Sequence, residues 1–275
     1  MPFVTRFAPS PTGYLHLGHA FSALTAFDAA RAAAGRFVLR IEDTDQTRCR
    51  PEFDAAILED LGWLGIAWEN PVRRQHEHMG EYEAALGTLI DRGLVYRCFR
   101  TRKEIMAEIA HAPHAPADVI TSAPLTSAQE AERLAAGDAF AWRLSLARCR
   151  ETLGAGWDGL WFEADGARHK AEPARLGNAI IARKEFPASY HLASVWDDAL
   201  QGITHVIRGE DLREAAHLHV LLQKLLGLPH PVYQHHALVL DQHGKRLAKR
   251  DQAATLRSLR EAGKTPGDIR GLLQL

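Results

Sequence analysis

The chain has 275 residues, enough to bury a sizeable core and to form one large or two modest domains. Its apolar content of 46% and charged content of 24% are ordinary for a globular protein, and a net charge of −1 gives no global attraction to nucleic acid. We find no apolar run long enough to cross a bilayer, no signal pattern and no disulfide framework among three scattered cysteines. We therefore expect a cytoplasmic protein. We also expect a monomer.

The first hundred residues predict alternating strands and helices. An apolar run at residues 2–4 predicts a strand, followed by a proline-rich turn and an alanine-rich helix, and residues 37–41 predict a second strand. Two later segments have helical spacing of apolar residues, 51–64 and 82–94. This alternation indicates a parallel α/β sheet, in which ligands bind beyond the carboxyl ends of the strands. Arg6 and Glu42 lie at such ends.

The pattern changes after residue 97. Residues 111–116 are a proline-containing breaker cluster, 126–136 predict a short helix and 139–146 an alternating strand. Beyond these, strand-like runs cover residues 190–195, 202–208 and 232–240, with a helix expected at 213–226. We therefore divide the chain into a first half of a nucleotide-binding fold (1–97), an inserted subdomain (98–178), the second half (179–240) and a short helical C-terminal segment (241–275).

The segment His16-Leu17-Gly18-His19 lies where the first strand gives way to the first helix. Two histidines three positions apart at a helix start face the same way, toward the positive end of the helix dipole. An ATP phosphate bound there would meet imidazole donors and free backbone N–H groups. Gly18 lacks a Cβ, so a flat base could pack directly on the backbone.

Four segments together resemble the signatures of one family. They are RFAPSPTGYLHLGH (6–19), RIEDTDQTR (40–48), GITHVIRGED (202–211, with Tyr190 upstream) and KRLAKR (245–250). In this order they resemble the catalytic motifs of class I aminoacyl-tRNA synthetases of the glutamyl family. The resemblance implies a Rossmann-type parallel sheet with an inserted α+β subdomain that docks on the acceptor region of tRNA, followed by a short helical C-terminal segment.

The resemblance also implies the reaction and the amino-acid pocket. Glutamate would attack the α-phosphorus of ATP to give glutamyl-adenylate, with Mg²⁺ bridging phosphate oxygens. Glu42 would bind the α-ammonium group, and Arg6 or Arg208 the side-chain carboxylate through a bidentate fork. The expected glutamate-binding residues are Arg6, Phe7, Ala8, Pro9, Ser10, Glu42, Tyr190 and Arg208.

A second group of residues is expected to bind ATP: His16, Gly18, His19, Arg246, Leu247 and Lys249. We assign catalysis to His16 and His19, which would contact the phosphates, and to Lys249, which would stabilise the departing pyrophosphate. Lys249 matches the second lysine of the family's KMSKS loop. Arg246 replaces the first lysine and Ala248 replaces the serine, so the loop departs from the family pattern.

We predict no zinc and no other protein-held metal. Many relatives carry a cysteine-rich site in the inserted domain, and Cys98 matches its first position, but Arg100 stands where the next cysteine is expected. A structural zinc site needs four suitable ligands. The histidine pairs at 217/219 and 235/236 lack convergent spacing with cysteines or acids.

Only twenty-five residues follow Arg250, too few for an anticodon-reading domain. In this respect the chain is similar to the glutamyl-Q branch of the family, which esterifies glutamate to the queuosine base of tRNA(Asp). The expected partners are therefore L-glutamate, ATP and queuosine-carrying tRNA(Asp). Three alternatives stay open: a glutamyl-tRNA synthetase core acting on a tRNA 3′ end, a small-molecule nucleotidyl transferase and a non-catalytic glutamate- or tRNA-binding paralogue.

Overall fold

A computed structural model describes residues 2–100, 104, 123–183, 186–239 and 254–275. The strands in this part of the chain are β1 (Val4–Phe7), β2 (Arg36–Ile41), β3 (Glu69–Arg74), β4 (Val95–Cys98), β5 (Ala141–Leu144), β6 (Trp161–Ala164), β7 (Ala167–Lys170), β8 (Ile180–Arg183), β9 (His205–Gly209) and β10 (Val232–His236). The helices are α1 (Leu17–Ala32), α2 (Pro51–Trp63), α3 (Met79–Asp91), α4 (Ser127–Ala135), α5 (Leu146–Leu153), α6 (Ala155–Asp158), α7 (Tyr190–Leu200), α8 (Ala215–Leu226), α9 (Leu256–Glu261) and α10 (Pro266–Leu273).

Two largely parallel sheets meet edge to edge in the centre of the fold. One sheet has the order β1-β2-β3, and the other the order β7-β6-β10-β9, with only the β6–β7 hairpin antiparallel. At the junction, the backbone N–H of Thr204 donates to the carbonyl of Val4 at 2.9 Å, and the N–H of Val4 donates to the Thr204 hydroxyl at 2.9 Å. The resulting order β3-β2-β1-β9-β10 is that of a doubly wound nucleotide-binding fold, whose ligand crevice opens where the order reverses, between β1 and β9.

A third, antiparallel sheet has the order β4-β5-β8. Its outer strands lie at the predicted limits of the inserted subdomain, 98 and 178, because β4 ends at Cys98 and β8 begins at Ile180. The β6–β7 hairpin, which falls inside those limits, joins β10 instead. The division into domains stays a prediction. Two of the three sheets contain strands from both sides of a predicted boundary.

Two apolar clusters hold these layers together. The first contains α3, α7 and α8 with strands of the second and third sheets, and the second contains α1, α2 and α10 with β1 and β2. Helix α1 presents fully buried alanines at helical spacing, Ala20, Ala23, Ala26 and Ala30. Small side chains at these positions let the helix lie close to the sheet and thereby place its N-terminus at the crevice.

The helices predicted at 51–64, 82–94 and 126–136 and the strands predicted at 37–41 and 139–146 are confirmed. The strand predicted at 190–195 is wrong, because Tyr190–Leu200 is a helix. Its run of apolar residues is too short and continuous for periodicity to separate the two structures. The breaker cluster at 111–116 lies outside the described residues. No helix in the described part of the chain is long and apolar enough to span a membrane.

Candidate active site

A cavity of about 250 Å³ opens at the carboxyl ends of β1 and β9, where the two parallel sheets meet. Its lining includes most of the residues predicted to bind glutamate or ATP: Arg6, Phe7, Ala8, His16, Gly18, His19, Glu42, Tyr190 and Arg208. These side chains come from β1, β2, β9 and the N-terminal ends of α1 and α7. The fold thus gathers residues 200 positions apart into one crevice.

Arg208 is a buried cation among uncharged groups. Its NH1 lies 3.4 Å from the hydroxyl of Tyr190 and 3.5 Å from Nδ1 of His219, and its Nε lies 3.4 Å from Nε2 of His235. The guanidinium carbon stands 5.0 Å from the ring centre of Tyr233, a cation–π contact. The buried NH2 has no hydrogen-bond partner. An unpaired buried guanidinium nitrogen at a cavity wall is suited to receive a carboxylate.

The histidines around Arg208 are held in their neutral form. Burial and the nearby Arg208 lower the pKa of His191 and that of His235 to about 4. Burial, Arg208 and His191 also lower the pKa of His219 well below its usual value. At neutral pH, Arg208 therefore carries the positive charge of this wall.

Glu42 lies in a buried network of charges. Its Oε1 accepts a hydrogen bond from Arg40 at 3.1 Å, and Arg40 also donates to Asp198 at 2.9 Å. Arg6 donates from Nε to the same Asp198 at 3.1 Å. Burial raises the pKa of Glu42, while the charges of Arg40 and Arg6 oppose that shift. A carboxylate held in this way is suited to bind an ammonium group, which would add a second favourable charge.

A second carboxylate, Asp197, extends this network of buried charges. It accepts hydrogen bonds from Arg73 Nε at 2.8 Å, from Gln75 at 2.8 Å and from the Tyr82 hydroxyl at 2.9 Å. The completely buried Arg40 places its Nε 3.6 Å from Asp197. Because neighbouring residues Asp197 and Asp198 both face arginines, α7 is tied to the first sheet by hydrogen-bonded charge pairs.

His16 and His19 cap the helix that carries them. His16 is the N-cap of α1, and its Nδ1 accepts from the Gly18 N–H at 3.1 Å. In turn, Nδ1 of His19 accepts from the His16 N–H at 3.2 Å. Because each Nδ1 accepts, the proton that each ring can donate is on Nε2. The expectation that the backbone N–H groups here are free is wrong for His16 and Gly18, whose N–H groups are bonded to imidazoles.

Gly18 has a steric reason to be glycine. A Cβ at this position would lie 3.0 Å from Cε1 and 3.2 Å from Nδ1 of His16. A side chain would therefore push the imidazole away from the N–H that it caps. The predicted role of Gly18 in packing a base stays a prediction.

A larger cavity, of about 910 Å³, lies beside the first and shares Tyr190 with it. Four arginines line it: Arg48, Arg143, Arg175 and Arg183. Two carboxylates, Asp45 and Glu214, also contribute, as does Phe186. The second cavity is therefore mainly cationic and suited to a ligand that carries negative charge.

Sequence comparison assigns the chain to a family. The family described as tRNA synthetases class I (E and Q), catalytic domain, matches residues 2–274. The chain belongs to this family. The predicted enzyme class, a ligase of the aminoacyl-tRNA synthetase type, is thereby confirmed.

Two relatives that match almost the whole of this chain carry the same name. A glutamyl-Q tRNA(Asp) synthetase from Rhodobacter capsulatus is 48% identical, over 99% of this chain and 100% of the relative. Another from Nocardia farcinica is 41% identical, over 98% of this chain and 82% of the relative. The predicted resemblance to the glutamyl-Q branch of the synthetase family is confirmed.

A solved structure resembles the fold. The glutamate tRNA ligase from Elizabethkingia meningosepticum, crystallised with its amino acid, superposes with a TM-score of 0.80 at 26% identity. The match covers 99% of this chain and 60% of that longer protein, so the chain spans less than two thirds of it. The predicted α/β fold of class I synthetases is confirmed.

Five of the residues predicted to bind glutamate or ATP are not among the described residues that line the smaller cavity. Pro9 and Ser10 do not line the cavity; the Pro9 carbonyl instead accepts the Glu42 N–H at 3.0 Å, and Ser10 is exposed. Arg246, Leu247 and Lys249 lie outside the described residues. The predicted roles of these residues stay predictions.

Other residues at the site were missed from the sequence. Ser22 and His236 line the cavity and share a hydrogen bond of 2.9 Å between Oγ and Nε2, and Asp211 lines it as well. Two adjacent aspartates, 197 and 198, in a largely apolar segment were the signal that could have revealed the arginine network. Buried acids of this kind need a cationic partner.

Within the described residues, no group of three or more histidines, cysteines or acids could hold a metal ion. Cys98 is buried and not part of a disulfide. The histidines 111 and 114 fall outside the described part of the chain, so the absence of zinc stays a prediction.

Proposed function

We propose that the protein, as a cytoplasmic monomer, activates L-glutamate with ATP and transfers the glutamyl group to the queuosine base in the anticodon loop of tRNA(Asp). The observation that carries the first step is Arg208, buried at the cavity wall with one nitrogen unpartnered. The second step is supported by the full-length similarity to the Rhodobacter capsulatus glutamyl-Q tRNA(Asp) synthetase.

Glutamate enters the smaller cavity with its side chain toward Arg208. Arg6 already shares its charge with Asp198, whereas Arg208 has neutral neighbours, so Arg208 is the stronger site for the side-chain carboxylate. Glu42 binds the α-ammonium group. Tyr190 adds a hydroxyl donor beside Arg208.

ATP binds across the N-terminus of α1, beside Gly18. His16 and His19 donate from Nε2 to its phosphates, and Lys249 neutralises the departing pyrophosphate. Arg246 and Leu247 of the same loop also contact ATP. Mg²⁺ supplies charge neutralisation to the phosphate oxygens. Mg²⁺ prefers oxygen ligands, so the phosphates of ATP would hold it while Glu42 binds the ammonium group.

The acceptor approaches through the larger, arginine-lined cavity. Because Tyr190 lines both cavities, a hydroxyl group presented there would lie next to the activated glutamate. Arginines suit the phosphates of an RNA loop, and Phe186 offers an aromatic face to a base.

The first test is ATP–pyrophosphate exchange without any tRNA. We expect exchange with glutamate and background rates with glutamine or aspartate, because Arg208 offers a charged partner to the side-chain carboxylate of glutamate alone at the right distance from Glu42. A strict requirement for tRNA would contradict activation in the absence of an acceptor. No exchange under any condition, with glutamate still binding, would favour the non-catalytic paralogue.

The second test identifies the acceptor. We expect radiolabelled glutamate to be transferred to tRNA(Asp) that contains queuosine and not to tRNA(Asp) that lacks it. Removing the 3′-terminal adenosine should leave this transfer intact. The alternative, a glutamyl-tRNA synthetase core acting on a 3′ end, is favoured by the similarity to the Elizabethkingia meningosepticum ligase and requires the opposite result.

A further inference from the structure

Arg208 differs from the three arginines that pair with Asp197 and Asp198. Arg6 pairs with Asp198 at 3.1 Å, Arg40 with Asp198 at 2.9 Å and Arg73 with Asp197 at 2.8 Å. Among the residues that the structure describes, no carboxylate lies within ion-pair distance of Arg208. Its acceptors are instead two imidazoles and a phenol, at 3.4–3.5 Å. Such long contacts orient the guanidinium without neutralising it.

The contacts fix the protons of three histidines. An arginine can only donate, so Nδ1 of His219 accepts from Arg208 and the proton of His219 is on Nε2. That nitrogen lies 3.2 Å from Nδ1 of His191, which must accept. On the other side, Nε2 of His235 accepts from Arg208, so its Nδ1 carries the proton and faces Asp165 Oδ2 at 3.9 Å.

We propose that His219, held by His191, is a specificity-determining positioning residue: it fixes Arg208 through an uncharged acceptor and so reserves the guanidinium charge for a side-chain carboxylate of the substrate. His235 has the same role at the opposite edge of the guanidinium. A carboxylate at either position would pair with Arg208, as Asp198 does with Arg6, and would remove the preference for glutamate over its uncharged amide, glutamine. The inference rests on the proposed activation of glutamate in this cavity.

Position 219 allows a matched test. His219→Asn and His219→Asp both place an oxygen acceptor near the present Nδ1 and have nearly the same size, but only the aspartate is charged. For each variant we would measure kcat and KM for glutamate and for glutamine in pyrophosphate exchange, and the affinity for both amino acids by calorimetry. A purely structural role of His219 would affect both variants and both amino acids alike.

We expect His219→Asn to keep the preference for glutamate and His219→Asp to reduce the glutamate-to-glutamine ratio of kcat/KM by about tenfold or more, mainly through KM. Equal ratios in the two variants would overturn the inference. Calorimetry separates it from the proposed function: wild-type protein that binds glutamate without exchange refutes the activation step, and the affinities of the two variants still test His219.

A second matched pair covers the case in which His219→Asp does not fold, as judged by circular dichroism. His235→Gln and His235→Glu place their terminal oxygen near the present Nε2, opposite Nε of Arg208. We expect the same contrast: His235→Glu should lose the preference for the substrate glutamate over glutamine, and His235→Gln should retain it. Indistinguishable selectivities in this pair would overturn the role of uncharged neighbours around Arg208.

Discussion

The carboxylate of Asp198 accepts a hydrogen bond from Nε of Arg6 at 3.1 Å, and both side chains are buried. The same oxygen accepts from Arg40 at 2.9 Å. Arg6 lies on β1, Arg40 on β2 and Asp198 on α7, so one carboxylate fixes two guanidinium groups from neighbouring strands. Through Arg40 it also holds Glu42, so Arg6 and the proposed ammonium-binding carboxylate both depend on Asp198.

Replacing Asp198 by asparagine should weaken both stability and glutamate binding. The amide can still accept hydrogen bonds, but two buried arginines lose a charged partner, which should cost about 2–4 kcal/mol of unfolding free energy. Urea denaturation measures this loss. Asp28→Asn is the control, because its pair with Arg270 is partly exposed and should contribute less than about 1 kcal/mol. Equal losses in the two variants would refute the importance of the buried network.

Arg208→Gln should lower the affinity for glutamate about 10- to 100-fold and leave that for ATP nearly unchanged. The substrate carboxylate would lose a charge-assisted hydrogen bond while still leaving water. Calorimetry with each ligand separately measures the two affinities. Arg36→Gln, which removes an exposed arginine on the far end of β2, is the matched control. A drop in ATP affinity with glutamate affinity intact would contradict the pocket assignment.

Lys249→Ala should reduce the rate of glutamate activation by about 10²–10³ with little change in glutamate affinity. The charge of pyrophosphate grows toward the transition state, so a cation there binds that state more tightly than ground-state ATP. Steady-state exchange kinetics measure the effect, and Lys245→Ala in the same segment is the control. Unchanged turnover would remove Lys249 from the mechanism.

Asp60→Asn should stabilise the protein above pH 6. Asp60 is fully buried, both of its oxygens lack hydrogen-bond partners, and burial raises its pKa from 3.8 to about 6. A raised pKa means that the protonated form contributes its full stability below about pH 4 and that this contribution is lost as the pH rises through 6. Asparagine cannot ionise, so the variant should gain about 1–2 kcal/mol at pH 8 relative to wild type and nothing at pH 4.

Thermal unfolding at several pH values measures this difference. Glu59→Gln is the control, because Arg260 lies 2.9 Å from the exposed Glu59 and 3.8 Å from the buried Asp60. This variant measures the loss of a carboxylate beside Arg260 without the burial of Asp60. A gain for Asp60→Asn that is the same at pH 4 and pH 8 would contradict the titration of this carboxyl.

Metal removal should affect activity and not the fold. We expect purified protein to contain less than one zinc per chain, because Cys98 is the only match to the family's cysteine set. EDTA should leave the melting temperature unchanged and abolish pyrophosphate exchange, and added Mg²⁺ should restore the exchange. Elemental analysis that finds one tightly held zinc per chain would refute this prediction.

The sequence predicted those parts of the fold and site that depend on local pattern or on a contiguous motif. The helices at 51–64 and 82–94 have clear apolar periodicity, and the cavity residues Arg6, Glu42 and Arg208 lie in motifs that resemble those of the family. Helix α7 was missed because its short, largely apolar run does not show a clear helical period. Its two aspartates were missed with it.

The residues behind the pocket could not be found in the same way. Asp198 and Arg40 are separated by 158 positions, and His219 contacts Arg208 because α8 packs against α7 and β6. No local spacing encodes such contacts, since they arise from tertiary packing. A histidine pair such as 217/219 looks the same in sequence whether it binds a metal, fills a core or orients an arginine.

The junction between Val4 and Thr204 has a consequence for synthesis of the chain. At translation rates of about 5–20 residues per second, about 10–40 s pass between the appearance of these two partners, which are 200 positions apart. During that time β1 can pair with β2 on one side only, and its other edge stays open for the strand that will complete the crevice. The catalytic pocket is therefore among the last parts of the molecule to form, although its signature motif is among the first to be made.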